Sequence, residues 1–183
     1  MNLEKILQQE KDTVITRWFD LVTETYVPET AQRLKKETNR FANPVGQTTL
    51  DGLKDLTDAF LQGSSPEDMA KILDRIIRIR AIQEFTPSQA VAFVFGLKKI
   101  ARELLAKQKE QEEGSVAELM AFDFRVDELA LLAFNVYMRC RENLFEVRIN
   151  EVKSRSYRLL QRANLLGELD PQPEPDVKEG NLQ

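Results

Sequence analysis

Apolar residues recur at intervals of three and four along most of the chain, which indicates helices rather than strands. The first helix is predicted from Asn2 to about Tyr26, and Pro28 ends it. A short helix is predicted over 29–36. The apolar face of the first helix comprises Val14, Trp18, Leu21, Val22 and Thr25.

Three further helices begin at capping residues. Asn43 and Ser65 each precede a proline that suits the first helical position, so each is predicted to start a helix. Thr86 and Gln89 stand at the spacing of a capping box. Because the helical period continues after this cap, the fourth helix is predicted to run through Leu104 without interruption.

The last helix is predicted to start near Ser115 and to be unusually long. Between Leu129 and Leu144 it is apolar on nearly every side, which is typical of a central, buried helix. Beyond that stretch the apolar positions narrow to steps of four and three, the spacing of a coiled-coil seam. The predicted seam for a dimer or a partner comprises Phe145, Ile149, Val152, Leu159 and Leu166.

These patterns predict a helical domain over 1–145, a helical arm over 146–166 and a tail over 167–183. The tail is predicted to be disordered because it combines prolines with many charges. The arm is basic: seven basic and three acidic residues lie between Arg139 and Arg162, in a chain whose net charge is -4. It either docks on an acidic partner or has an ordinary solvated surface. Its basic residues are Arg148, Lys153, Arg155, Arg158 and Arg162.

Composition argues against catalysis and cofactor binding. The sequence has no histidine, which removes the commonest general base and the usual ligand of haem and zinc. Its single cysteine, Cys140, lies in the most apolar helix and is expected to be a core thiol. We therefore expect neither an enzyme nor a bound cofactor. The mild negative charge argues against nucleic-acid binding.

The expected location is the cytoplasm. The sequence starts with alternating charged and apolar residues instead of the apolar block of a signal peptide. Uncharged stretches are too short for a membrane span of about 20 residues, so no membrane insertion is expected.

Four stretches resemble the N-terminal domain of RsbRD, a co-antagonist of the kinase RsbT. The resemblance covers roughly residues 10 to 153 and implies a sensory input domain that dimerises and looks like a globin without haem. Together with the helical patterns above, it predicts an all-α, globin-like bundle of about five long helices without haem, with the last helix extended as a short coiled-coil arm. The stretches are WFDLVTETY (Trp18 to Tyr26), FANPVG (Phe41 to Gly46), RAIQEFTPSQAVAFVFGLKKIARE (Arg80 to Glu103) and NVYMRCRENLFEVRINEV (Asn135 to Val152).

Two functions follow as hypotheses. In the family, such a domain normally precedes a STAS output domain, whereas only 31 residues follow Val152 here. The first hypothesis is thus a stand-alone sensory or regulatory module that forms a homodimer and relays a signal to a separate partner protein through its last helix. The alternative is a scaffold that docks on a larger complex through the basic arm.

Overall fold

A computed structural model describes residues 3–107 and 115–162 of the chain. All regular secondary structure within these ranges is helical, so the prediction of an all-α fold is confirmed. Five of the α-helices have twelve or more residues, in agreement with the expected number of long helices. The elements are α1 Leu3–Gln9, α2 Lys11–Thr23, α3 Pro28–Lys36, α4 Pro44–Leu61, α5 Pro66–Ile82, α6 Pro87–Val91, a 3-10 turn Ala92–Phe95, α7 Gly96–Lys107 and α8 Ser115–Arg162.

The chain divides into two units at the boundary between Leu144 and Phe145. The first unit contains a single apolar core to which α1, α2, α4, α5, α7 and α8 all contribute. The globin-like arrangement of these helices stays a prediction. No helix in the described ranges is long and apolar enough to cross a membrane. Representative core residues are Leu3, Trp18, Leu53, Leu73, Ile100 and Leu129.

The predicted first helix is kinked, so it forms two helices. The kink lies at Glu10, where φ is -97° and ψ is 21°. Hydrogen bonds from Glu10 N to Ile6 O and from Val14 N to Glu10 O, both 2.9 Å long, continue across it. Neither proline nor glycine lies at this point, so the spacing of apolar residues alone could not show the kink.

The predicted caps are confirmed at the start of three helices. The side chain of Asn43 accepts from Gly46 N at 2.9 Å, and the hydroxyl of Ser65 accepts from the amide of the third residue of α5. Thr86 and Gln89 form the full capping box, with both reciprocal hydrogen bonds present. Each helix start is therefore specified by its own local sequence.

The fourth predicted helix is interrupted by the 3-10 turn, contrary to the expectation of a continuous helix. Side chains from α2 and α5 bind the carbonyl groups around this interruption. Trp18 Nε1 donates to Phe93 O at 2.8 Å, while Arg80 donates to Gln89 O at 2.8 Å and to Ala90 O at 3.1 Å. Tertiary hydrogen bonds thus replace part of the α-helical ladder.

The helices α4 and α5 approach each other closely at Gly52. A Cβ atom at this position would lie 2.7 Å from Cγ1 of Ile76. Glycine is therefore required by the packing of the two helices rather than by backbone conformation.

Candidate interaction surface on the last helix

One side of α8 is buried in the core of the first unit. Its core residues recur at intervals of three and four, as the helical period requires. Val126 and Ala133 are fully buried, and Tyr137 donates a hydrogen bond from its hydroxyl to Phe85 O at 2.6 Å. The buried set is Phe122, Val126, Leu129, Ala130, Ala133, Val136, Tyr137 and Cys140.

The opposite side of α8 is apolar as well, but it is exposed. The prediction of a central, buried helix between Leu129 and Leu144 is therefore wrong for this side of α8. Phe124 is 72% exposed and Leu131 is 68% exposed, although both are large apolar side chains. We call this surface the outer face of α8. It comprises Val116, Met120, Phe124, Leu131, Phe134 and Met138.

The outer face is regular along the helix. Phe124, Leu131 and Met138 are seven residues apart, so they lie on the same side of α8 two turns from one another. Asp127 and Glu128 interrupt the apolar surface between the first two. An exposed apolar surface with few interruptions is typical of an interaction site.

The predicted seam lies in the second unit. Phe145, Ile149, Val152 and Leu159 are all exposed, and Leu166 lies outside the described residues. Val147, Tyr157 and Leu160, which are not seam positions, are exposed as well. Exposure in this unit therefore does not distinguish the seam from its flanks.

The seven-residue step begins well before the predicted seam. Phe145, Val152 and Leu159 continue, in the sequence, the spacing set by Phe124 and Leu131. The prediction placed the start of the seam at Phe145 because the core positions of α8 conceal the repeat upstream. A search for one apolar residue in every seven would have found it.

The basic residues of the arm differ in their surroundings. Arg155 pairs with Glu151 one turn earlier, with 2.5 Å between Nη2 and Oε1. Lys153, Arg158 and Arg162 are exposed. An exposed ion pair of this kind contributes little to stability.

Residues 12–152 match the family described as the RsbT co-antagonist protein rsbRD N-terminal domain. The chain belongs to this family. The matched range includes the outer face of α8 in full and ends within the predicted arm. No similar curated protein and no similar solved structure was found at a significant level.

This RsbRD N-terminal domain also buries a cation. Arg80 is 1% exposed, and no carboxylate among the described residues pairs with it. Its guanidinium carbon lies 4.3 Å from the centre of the Phe85 ring and 5.9 Å from that of Tyr26. Burial lowers the pKa of Arg80, and burial raises the pKa of Tyr26 although the nearby positive charge opposes this rise. The group is stabilised by carbonyl oxygens and aromatic rings.

Cys140 of this RsbRD N-terminal domain is a buried thiol. Its Sγ lies 3.5 Å from Oδ1 of Asp74. Burial raises the pKa of the thiol, and the Asp74 carboxylate raises it further. A protonated thiol is a poor nucleophile. Within residues 3–107 and 115–162, no group of three His, Cys, Asp or Glu side chains is placed to hold a metal ion.

Proposed function

We propose that this chain is the input module of a stress-signalling system, that it works as a homodimer, and that its last helix relays a signal to a partner protein. Membership of the RsbRD N-terminal domain family supports an input-like role in stress signalling. The observation that carries the dimer is the exposed outer face of α8.

Association of two copies through the outer face is supported by its chemistry. Each large apolar side chain that moves from water into an interface contributes about 1.5–3 kcal/mol, before the costs of association are subtracted. A two-fold axis would place the same surface of one copy against that of the other, so Phe124 and Leu131 would be covered without any other partner.

The relay is supported by the double role of α8. The helix presents Leu129 and Val136 to the core and Leu131 and Met138 to the exterior. A side chain shift in the core therefore moves the helix that carries the outer face, because packed cores respond by small displacements of whole elements.

Light scattering of the full chain tests the dimer. We expect a dimer at tens of micromolar protein, and a monomer for Phe124→Glu and for Leu131→Glu. Val27→Glu is the matched control, since Val27 is 64% exposed and precedes α3 instead of lying on α8. Circular dichroism must show that the variants retain their helices. A monomeric wild-type protein, or a dimer that neither glutamate weakens, would contradict the proposal.

A truncation at Glu146 separates the contribution of the arm from that of the outer face. We expect the truncated chain to remain a dimer with weaker association. Flanking basic residues explain why the arm contributes less: in a parallel in-register pair, Arg148 of one copy would face Lys153 of the other. An unchanged dimer affinity would exclude the arm from the dimer and favour partner binding.

We also propose that the chain catalyses no reaction and resides in the cytoplasm. The absence of histidine from the sequence and the burial of its one thiol support the first point. A reducing compartment is compatible with that unpaired thiol.

The second candidate function is a scaffold that docks through the arm. The exposed basic side chains of Lys153, Arg158 and Arg162 favour it. Hydrogen exchange of residues 145–162 distinguishes the two functions. A docking arm gains protection only when a partner protein is bound, whereas a relay changes its protection when a small molecule binds to the first unit.

A further inference from the structure

A cleft in the first unit lies where the end of α4, the start of α5 and the middle of α8 meet. Its volume is about 550 Å³, which falls in the range of small-molecule sites. The cleft forms because α4 ends sharply: Gly63 has a φ of 68° and Ser64 N donates to Ala59 O at 2.9 Å. This Schellman-type end turns the chain away from α4 before α5 begins.

The floor of the cleft is apolar. Phe60 and Leu129 are buried in the core, while Met69 and Leu132 are half-buried and pack against it. An aromatic ring, a thioether and branched aliphatic groups can all contact a flat apolar ligand. The floor therefore favours an apolar body.

The charged groups on the polar side of the cleft disfavour an anionic ligand. The guanidinium carbon of Arg125 lies 4.5 Å from the centre of the Phe60 ring, and its Nη1 pairs with Glu4 at 2.7 Å. Its Nη2 donates to Phe60 O. Because Arg125 is already paired with Glu4 and Glu128 places a carboxylate at the cleft, an anionic ligand would be repelled by Glu128 without gaining an unpaired cation. A neutral ligand can instead form a hydrogen bond with the side chain of Glu128 or of Asn135.

We propose that this cleft binds a neutral, mostly apolar small molecule that carries a hydrogen-bonding group, with room for a molecule of several rings. The volume sets an upper limit on the size, the floor favours an apolar body, and the carboxylates of Glu4 and Glu128 disfavour an anion. The site rests on the proposed function as an input module and names the class of ligand that the module would bind.

Leu131 lines the cleft and also belongs to the outer face of α8. Occupancy of the cleft therefore changes the packing of a residue in the proposed dimer interface. By linkage, a ligand that alters dimer affinity binds the dimer and the monomer with different affinities. This link rests on the proposed dimer, whereas binding in the cleft does not.

Calorimetric titration of the full chain with 2-naphthol tests the site. We expect saturable binding of one molecule per chain. Naphthalene-2-sulfonate, which is similar in size but anionic, should bind at least about tenfold more weakly. Leu132→Trp should fill the cleft and weaken naphthol binding by about tenfold or more, and Met69→Trp should do the same from the other wall. Leu119→Trp is the control, since Leu119 is also half-buried on α8 but lies outside the cleft.

Three results would overturn the site: no saturable binding of 2-naphthol, equal affinity for the sulfonate, or unchanged affinity in both cleft variants when circular dichroism shows them to be folded. The same titration on Phe124→Glu separates the site from the dimer. Binding to a monomeric Phe124→Glu chain would leave the cleft intact even if the proposed homodimer failed.

Discussion

The indole nitrogen of Trp18 donates a hydrogen bond of 2.8 Å to the carbonyl oxygen of Phe93, 75 positions further along the chain. The two rings also contact each other, with 6.1 Å between their centres. Trp18 is fully buried, so no water competes for this carbonyl. The bond joins α2 to the 3-10 turn and stabilises the interruption of the helix at that point.

Replacing Trp18 by phenylalanine should lower the free energy of unfolding by about 2–4 kcal/mol, because it leaves a buried carbonyl without a donor and a gap in the core. Urea denaturation followed by circular dichroism measures the change. Phe93→Leu is the informative control, since it removes the ring and keeps the carbonyl. If Trp18→Phe costs no more than Phe93→Leu, the hydrogen bond contributes little.

Thr86→Ala should destabilise the protein by about 1 kcal/mol, the usual cost of losing an N-cap. The Thr86 hydroxyl accepts from Gln89 N at 3.4 Å, and Gln89 Oε1 accepts from Thr86 N at 3.1 Å. Thr38→Ala, the same substitution at an exposed position, serves as the control. Equal stabilities of the two variants in chemical denaturation would mean that the cap does not stabilise α6.

Glu84→Gly should be more stable than Glu84→Ala by about 1 kcal/mol. Glu84 has a φ of 62°, a left-handed conformation at the end of α5 that only glycine adopts without cost. Since both substitutions remove the same side chain, the difference between their free energies of unfolding measures the cost of the left-handed backbone conformation at this position. Thermal and urea unfolding of the pair measures it, and a more stable alanine variant would contradict the assignment.

Stability should fall at alkaline pH partly because of Tyr26. Burial raises the pKa of Tyr26 in the folded protein above its ordinary value of 10.0. The folded state therefore retains a proton that the unfolded state releases, so this contribution is complete below the ordinary pKa and is lost as the pH rises through the folded pKa. The free energy of unfolding of Tyr26→Phe should decline less steeply above about pH 10 than that of the wild type. Tyr157→Phe, at an exposed position, should behave like the wild type.

Protein expressed with haem supplied should show no Soret band. The prediction follows from the absence of histidine, the usual axial ligand. A stoichiometric band that Cys140→Ser abolishes would show instead that the thiol binds iron.

The caps at Asn43, Ser65 and Thr86 could be predicted because each depends on residues within one helical turn. The interruption after Val91 could not, because Trp18 and Arg80 stabilise it from distant parts of the chain. Hydrophobic periodicity shows that one face of a helix is apolar. It does not show whether that face is buried in the core of the same chain or against another molecule.

The same limit applies to the candidate surface. The sequence indicates that α8 is apolar around Leu131 and Met138, and the structure adds that neither belongs to the core. The cleft was not predicted at all. It brings together Phe60 and Arg125, which are 65 positions apart in the sequence, and no local pattern connects them.

The burial of Trp18 has a practical consequence for spectroscopy. Since the sequence contains one tryptophan, the intrinsic emission of this protein comes from one indole next to the 3-10 turn. Any rearrangement that loosens this turn exposes the indole to water and shifts its emission to the red. The protein therefore carries a label-free optical reporter for one junction of its fold.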